Sequence, residues 1–181
     1  SISVSISSRF YEDIRYAIQK NIRLINVESL NEIKLINLIG RSVNKVINIG
    51  IRLNPNIDGN TLNKIATGKK TDKFGIDIDQ TTNIFSEVKS YQHINIKGIS
   101  CHVGSQLQDL KIFENVFSTM KKIADEFIAN GIKLENVDLG GGLGVNYESD
   151  FNNLDIQSIG QLVKKIFHQT SYKISFEPGR Y

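Results

Sequence analysis

A carboxylate, a rigid turn, a glycine and a guanidinium follow one another in "FEPGR" as Glu177, Pro178, Gly179 and Arg180. Placed together they offer one acceptor for a protonated ring nitrogen and one planar fork for a phosphate. Upstream, "CHVGSQ" supplies His102, whose ring can stack on a flat ligand, Gly104, which lets backbone come close, and Ser105, whose hydroxyl can donate to an anion. Between the two lies "DLGGGLGVNY" (138–147), with Gly140, Gly141 and Gly142 in a row and Gly144 two positions later. Without Cβ atoms such a run lets N–H groups converge on an anion. The dinucleotide spacing G-x-G-x-x-G fails from either start, because Val145 or Tyr147 stands where the third glycine belongs, and G-x-x-x-x-G-K-[ST] is absent. Each feature alone has an ordinary structural explanation. Glycines after a strand make tight turns, a strand-end histidine often only hydrogen-bonds its surroundings, and Glu177 with Arg180 has the spacing of a surface pair. Together, at three neighbouring strand ends, they point to one shared anionic, aromatic ligand.

The elements that must carry these residues are legible as short Ile- and Val-rich runs. Strands are expected at 2–6, 23–27, 45–54, 94–103, 134–140 and 172–177. Helical periodicity fits 10–21, 29–40, 78–91 and 155–169, with Ser29 and Asp155 as N-caps. The clearest stripe is Ile112, Phe113, Val116, Phe117, Met120, Ile123, Ala124, Phe127 and Ile128, a core-facing surface. Alternating strands and helices imply parallel strands joined by crossover helices, with the sheet buried on both faces. Six strands would suit an open doubly wound sheet. Polar residues, however, lie beyond the ends of most strands, at Asn54-Pro55, 102–106, 140–144 and 177–180, as on the upper rim of a (β/α)8 barrel. Numbered as strands three to eight, the runs place the glycines after strand seven and "EPGR" after strand eight, where barrels tend to bind phosphate.

The chain has 181 residues, 40% hydrophobic and 23% charged, an ordinary globular composition sufficient for one sizeable core. A net charge of +3, with lysines scattered rather than clustered, does not argue for nucleic acid or membrane. The one cysteine, Cys101, excludes an intramolecular disulfide and a thiolate metal cluster and reads as a small buried hydrophobe; no metal is expected. No stretch approaches the roughly 18 apolar residues of a membrane span. The first residues, "SISVSISSRFYED", lack the pattern of a signal peptide, so a cytoplasmic location is expected.

"CHVGSQ", "DLGGGLGVNY" and "FEPGR", in this order and at these separations, resemble the barrel of the fold-type III pyridoxal-phosphate amino-acid decarboxylases. The stretch "IRLNPNIDGNTLNKIATGKKTDKFGID" (51–77) is similar to the R-x-N-P…T…K-I-x-T-G…K-F-G pattern of the family's diaminopimelate branch rather than its ornithine and arginine branches. The likeness extends over nearly the whole chain. It implies a partial (β/α)8 barrel, strands three to eight, forming one incomplete domain over 1–181. It implies pyridoxal 5'-phosphate as cofactor, a small amino-acid substrate and a homodimer for the complete enzyme, which would convert meso-diaminopimelate to L-lysine and CO2. His102 would stack on the ring and Glu177 pair with its nitrogen. Ser105, Gly142, Gly179 and Arg180 would hold the phosphate, with Gly140, Gly141 and Pro178 completing the cofactor-binding stretches. Arg180 would also face the substrate.

Departures from the family pattern shape the expectation as well. The Schiff-base lysine belongs to the first barrel strand, upstream of these residues. Lys69, Lys70 and Lys73 lie where the family has lysines without that role. The C-terminal β-domain, with the cysteine that completes the partner subunit's site, is also absent, so no catalytic residue is assigned within the chain and the 181 residues alone are expected to be inactive. "SISSRF" stands where a glycine is usual near the end of the third strand, and Leu62-Asn63 where His-Pro is common. Two alternatives stay open: a non-catalytic remnant or pyridoxal-phosphate-binding subunit, and an ornithine- or arginine-type decarboxylase. Two open β-edges and uncovered apolar strand faces are expected to cause poor solubility or self-association.

Overall fold

The computed structural model describes residues 3–5 (backbone only), 11–57, 74–145 and 154–179. In chain order they form β1 (Ser3–Ser5), α1 (Tyr11–Gln19), β2 (Leu24–Val27), α2 (Leu30–Ser42), β3 (Ile47–Asn54) and β4 (Ile76–Asp77). A 3-10 turn (Ile78–Gln80) leads into α3 (Thr81–Val88), followed by β5 (Ile94–Cys101), α4 (Leu110–Ala129), β6 (Asn136–Asp138), α5 (Ile156–Ile166) and β7 (Lys173–Ser175). The strands make one parallel sheet in the order β1-β2-β3-β5-β6-β7, with β4 paired to β3. Every expected strand and helix has its counterpart among the described residues; β2, β3, β5, β6, β7, α3 and α5 are shorter than expected, whereas α2 runs on to Ser42 and α4 spans Leu110–Ala129. β4 is an addition, two residues beside Leu53 and Asn54, too short to leave a periodic signal.

Helix ends follow local chemistry. The Ser29 hydroxyl accepts the Glu32 N–H at 3.2 Å, and the Asp155 carboxylate accepts the N–H groups of Gln157 and Ser158, each at 3.0 Å. Asp109 caps α4 in the same manner, accepting the Lys111 N–H at 2.8 Å. Along α4, Phe113, Val116, Phe117, Met120, Ile123, Ala124 and Phe127 are buried, the stripe that the i, i+3, i+4 spacing predicts. Phe117 sits at the centre of an aromatic cluster, its ring centroid 5.9 Å from those of Phe113 and Phe176 and 6.4 Å from that of Phe167. Replacing Phe117 with alanine is expected to cost about 3–5 kcal/mol, read as a fall in the urea midpoint at unchanged slope.

The two faces of the sheet differ in chemistry. Ile25, Val27, Ile49, Ile51, Leu53, Ile99, Cys101 and Val137 are buried in one core with residues from the helices. The alternate positions form two rows on the other face. One row runs Asn26, Gly50, Gly98, Asn136, Lys173 and the next runs Arg52, Ser100, Asp138, Ser175, each residue opposite the next in register. Among the described residues the helices cover the apolar side, and these two rows of the other side are largely polar, whereas apolar faces were expected to lie open. No helix among the described residues is long and apolar enough to cross a membrane.

One irregularity sets the phase of these rows. β3 and β5 run in step from Ile47/Ile94 to Ile49/Ile96; then Lys97 is skipped, and Gly50 pairs with Gly98. Without that bulge, strict alternation would point Ser100 to the same side as Ile96. The extra residue returns Ile99 and Cys101 to the apolar core and turns Ser100 inward, and two residues on it does the same for His102.

Candidate active site

Three loops at the C-terminal ends of β5, β6 and β7 interlock. The Gly142 carbonyl accepts the Leu107 N–H at 2.8 Å, the Leu107 carbonyl accepts the Gly144 N–H at 2.9 Å, and the Gly140 carbonyl accepts the Glu177 N–H at 2.8 Å. Gln106 clamps the first two loops from its side chain: Oε1 accepts the Val145 N–H at 2.8 Å and Nε2 donates to the Val145 carbonyl at 3.3 Å. The glycine run is what allows so close an approach. A Cβ at Gly140 would strike the Cys101 carbonyl, at Gly141 the Glu177 carbonyl and at Gly142 the Gly104 carbonyl. Gly140 and Gly142 also adopt φ of +71° and +87°, where a side chain is strained. The glycines thus have a packing role that the sequence did not reveal, beside any contact with a ligand.

That packing leaves backbone donors of the glycine turn without a protein acceptor among the described residues. Among the described residues, no acceptor meets the N–H groups of Gly141, Gly142 and Leu143. Successive unpartnered N–H groups in a turn form a concavity suited to an anion. A cavity of about 150 Å³ opens beside them, lined by His102, Ser105, Gln106, Gly142, Leu143, Glu177, Pro178 and Gly179. The structure therefore brings together the residues singled out in "CHVGSQ", the glycine run and "EPG". Gly140 and Gly141 lie beneath, buried between loops. Arg180 falls outside the described residues, as do Lys69, Lys70, Lys73, Leu62 and Asn63. Among the described residues, no lysine lines the cavity.

Charge around the cleft is arranged in layers. Burial between the loops raises the proton affinity of Glu177, and the negative charge of Asp138 adds to it, while His102 and Arg52 act in the opposite sense. Arg52 itself is held by Glu28, Nη1 to Oε1 at 2.7 Å, and its guanidinium lies 5.5 Å from the centre of the exposed Phe74 ring. Arg52 and Phe74 are thus brought together from the two ends of the 51–77 stretch. Sequence reading had not assigned Arg52, Glu28, Asp138 or Gln106 a place at the site. Inward alternation along β3 and β6 would have marked Arg52 and Asp138 once the register was known.

Cys101 lies directly under this layer, 2% exposed, and its thiol is pushed up to about 12 from 9.0, by burial first and then by Asp138. The native protein is therefore expected to resist iodoacetamide at neutral pH, with alkylation tracking unfolding. Because the unfolded chain gives up this proton near 9.0 and the native one near 12, stability falls as pH rises through that interval.

The profile of the family described as "Pyridoxal-dependent decarboxylase, pyridoxal binding domain" matches residues 1–181. The diaminopimelate decarboxylase of Zymomonas mobilis is 35% identical over 170 residues, covering 93% of this chain and 40% of that protein. That of Haemophilus influenzae is 34% identical over 169 residues, covering 93% and 41%. Among solved structures, diaminopimelate decarboxylase from Helicobacter pylori in complex with L-lysine superposes with a TM-score of 0.88 at 34% identity, over 99% of this chain and 45% of that one. The chain thus spans roughly two fifths of the length of these curated relatives. On a family match over its full length and a barrel-like parallel sheet shared with these enzymes, the chain belongs to the pyridoxal-dependent decarboxylases, within their pyridoxal binding domain.

Proposed function

We propose that these residues form the cofactor-holding part of a pyridoxal-phosphate-dependent decarboxylase that converts meso-diaminopimelate to L-lysine and CO2. The observation that carries the reading is the cleft itself: His102, Ser105 and Glu177 converge on a cavity beside the N–H groups of 141–143, which meet no acceptor among the described residues. Those residues fit pyridoxal phosphate in kind, with hydroxyl and N–H donors for the phosphate, an imidazole for the ring face and a carboxylate for the ring nitrogen. Bound there, the cofactor supplies a protonated ring that accepts the electron pair left at the substrate Cα when CO2 departs. Ser105 and the N–H groups of the glycine turn bind the phosphate, with Arg180 as its bidentate partner. His102 orients the ring by stacking. Glu177, as a carboxylate, would keep a proton at the ring nitrogen by pairing with the positive charge there. The choice of diaminopimelate rests on the likeness of the 51–77 stretch and on the relatives at 34–35% identity.

The anchoring lysine and a C-terminal β-domain belong, on this reading, to a longer polypeptide that works as a homodimer, and the 181 residues alone turn over no substrate. The test is a substrate panel on the full-length polypeptide, with diaminopimelate, ornithine and arginine, reading lysine formation and CO2 release. Lysine from diaminopimelate supports the proposal; release of CO2 only from ornithine or arginine, or none with saturable cofactor binding, sinks the substrate assignment. In the same polypeptide, Arg180→Lys is expected to raise the Kd for pyridoxal phosphate about tenfold, since a point charge replaces a two-pronged donor. An unchanged Kd by absorbance titration would take Arg180 off the phosphate.

A further inference from the structure

The carboxylate of Asp138 has a separate partner on each oxygen. Oδ1 accepts the Gly140 N–H at 2.8 Å, and Oδ2 accepts the Ser175 hydroxyl at 2.8 Å. With its proton committed to Asp138, Ser175 Oγ is free to accept from Asn136 Nδ2, at 2.9 Å. Ser175 stands two residues before Glu177 on the same inward-facing side of the chain, because Phe176 between them turns outward onto Phe117. The Glu177 N–H returns to the Gly140 carbonyl at 2.8 Å. Asp138, Gly140, Glu177 and Ser175 therefore close a ring that joins the first residue of the glycine turn to the backbone carrying the Glu177 carboxylate.

We propose that Asp138 is the positioning residue of this site: its two oxygens lock the glycine turn after β6 and the Glu177-bearing end of β7 into one register. The distance between the anion-binding N–H groups and the Glu177 carboxylate is then set before any ligand arrives. The proposal rests on the cofactor reading for the identity of that ligand, but the ring of hydrogen bonds stands without it. Chemistry at Asp138 Oδ2 calls for an acceptor. An asparagine at 138 keeps its carbonyl on Gly140 but presents an NH2 to Ser175, whose hydroxyl must reverse from donor to acceptor and use its second lone pair beside the Asn136 bond, so the charge-assisted arm to β7 is replaced by a weaker neutral one. Alanine loses both arms. Ser175→Ala loses only the arm to β7.

A graded series follows, and it separates positioning from charge. In the full-length polypeptide without cofactor, hydrogen exchange read by mass spectrometry over 139–145 and 176–178 is expected to quicken about tenfold or more in Asp138→Ala. Asp138→Asn and Ser175→Ala should fall between that variant and wild type. The Kd for pyridoxal phosphate, by absorbance titration, should rise in the same order. If Asp138→Ala does not fold, the Asn and Ala variants at 138 and 175 that retain one arm carry the comparison. Exchange in those variants equal to wild type would overturn the proposal. So would Asp138→Asn matching Asp138→Ala while Ser175→Ala matches wild type, because that pattern is the signature of the charge alone. Graded exchange in a protein that binds no pyridoxal phosphate even as wild type would leave the positioning role standing and remove the cofactor reading instead.

Discussion

Replacing Glu177 with alanine in the full-length polypeptide is expected to lower kcat by about 10²- to 10³-fold while the Kd for pyridoxal phosphate stays within about threefold. The two effects separate because the phosphate donors lie elsewhere. On the proposed reading the phosphate is held by Ser105, the N–H groups of the glycine turn and Arg180, and none of these is the Glu177 side chain. On the proposed reading the carboxylate would contribute charge at the ring nitrogen, felt as electrons move off the substrate Cα. Its raised proton affinity comes first from burial between the loops and then from Asp138. Glu177→Gln is expected to behave like the alanine variant, since a neutral amide cannot keep the ring nitrogen protonated. Equal losses in kcat and affinity would assign Glu177 a structural role. A kcat near wild type would remove it from the reaction.

Gly141→Ala is expected to abolish measurable cofactor binding and to destabilise the fold by about 1–3 kcal/mol, the usual range for overpacking. The added methyl would meet the backbone carbonyl of Glu177, which no rotamer change can move aside. Relief would require the β6 and β7 loops to part, breaking the Glu177 N–H bond to the Gly140 carbonyl and spreading the N–H groups of 141–143. Gly179→Ala is the matched control. Nothing lies within 4 Å of a Cβ built at Gly179, so that variant should keep its urea midpoint. A loss of affinity in Gly179→Ala at unchanged stability would support the phosphate role assigned to this position. Should Gly141→Ala bind cofactor normally, the loops are not packed against one another in solution as they are here.

Much of the molecule was legible from local pattern. The α4 stripe was visible because an amphipathic helix of 20 residues repeats its burial rule many times. Ser29 and Asp155 were recognisable as caps because the requirement is a side-chain oxygen at one position. Asp109 meets the same rule and was missed, since its helix was read from the stripe rather than from its start. The cleft was also largely legible, because His102, Ser105 and Glu177 sit just past strand ends and parallel strands gather their C-terminal ends on one side. The polarity of the open sheet face was not. Runs such as "KVINIGIRLN" read as continuously apolar until the pairing shows that Asn48, Gly50, Arg52 and Asn54 alternate to the inner side.

The sequence by itself determined which residue types stand at each strand end, which helices form, and that the strands run parallel, because these depend on composition and spacing within a few residues. Tertiary structure decided the rest. Only the pairing of β3 with β5 reveals that Lys97 is skipped, and that skip turns Ser100 and His102 inward. Only the approach of three loops makes glycine obligatory at 141 and gives each oxygen of Asp138 its partner. The physical reason is common to all of them. A side chain's face follows from a register shared with a distant strand, and a hydrogen bond's partner follows from backbone brought near by the packing of other elements, neither of which is written in the residues on either side.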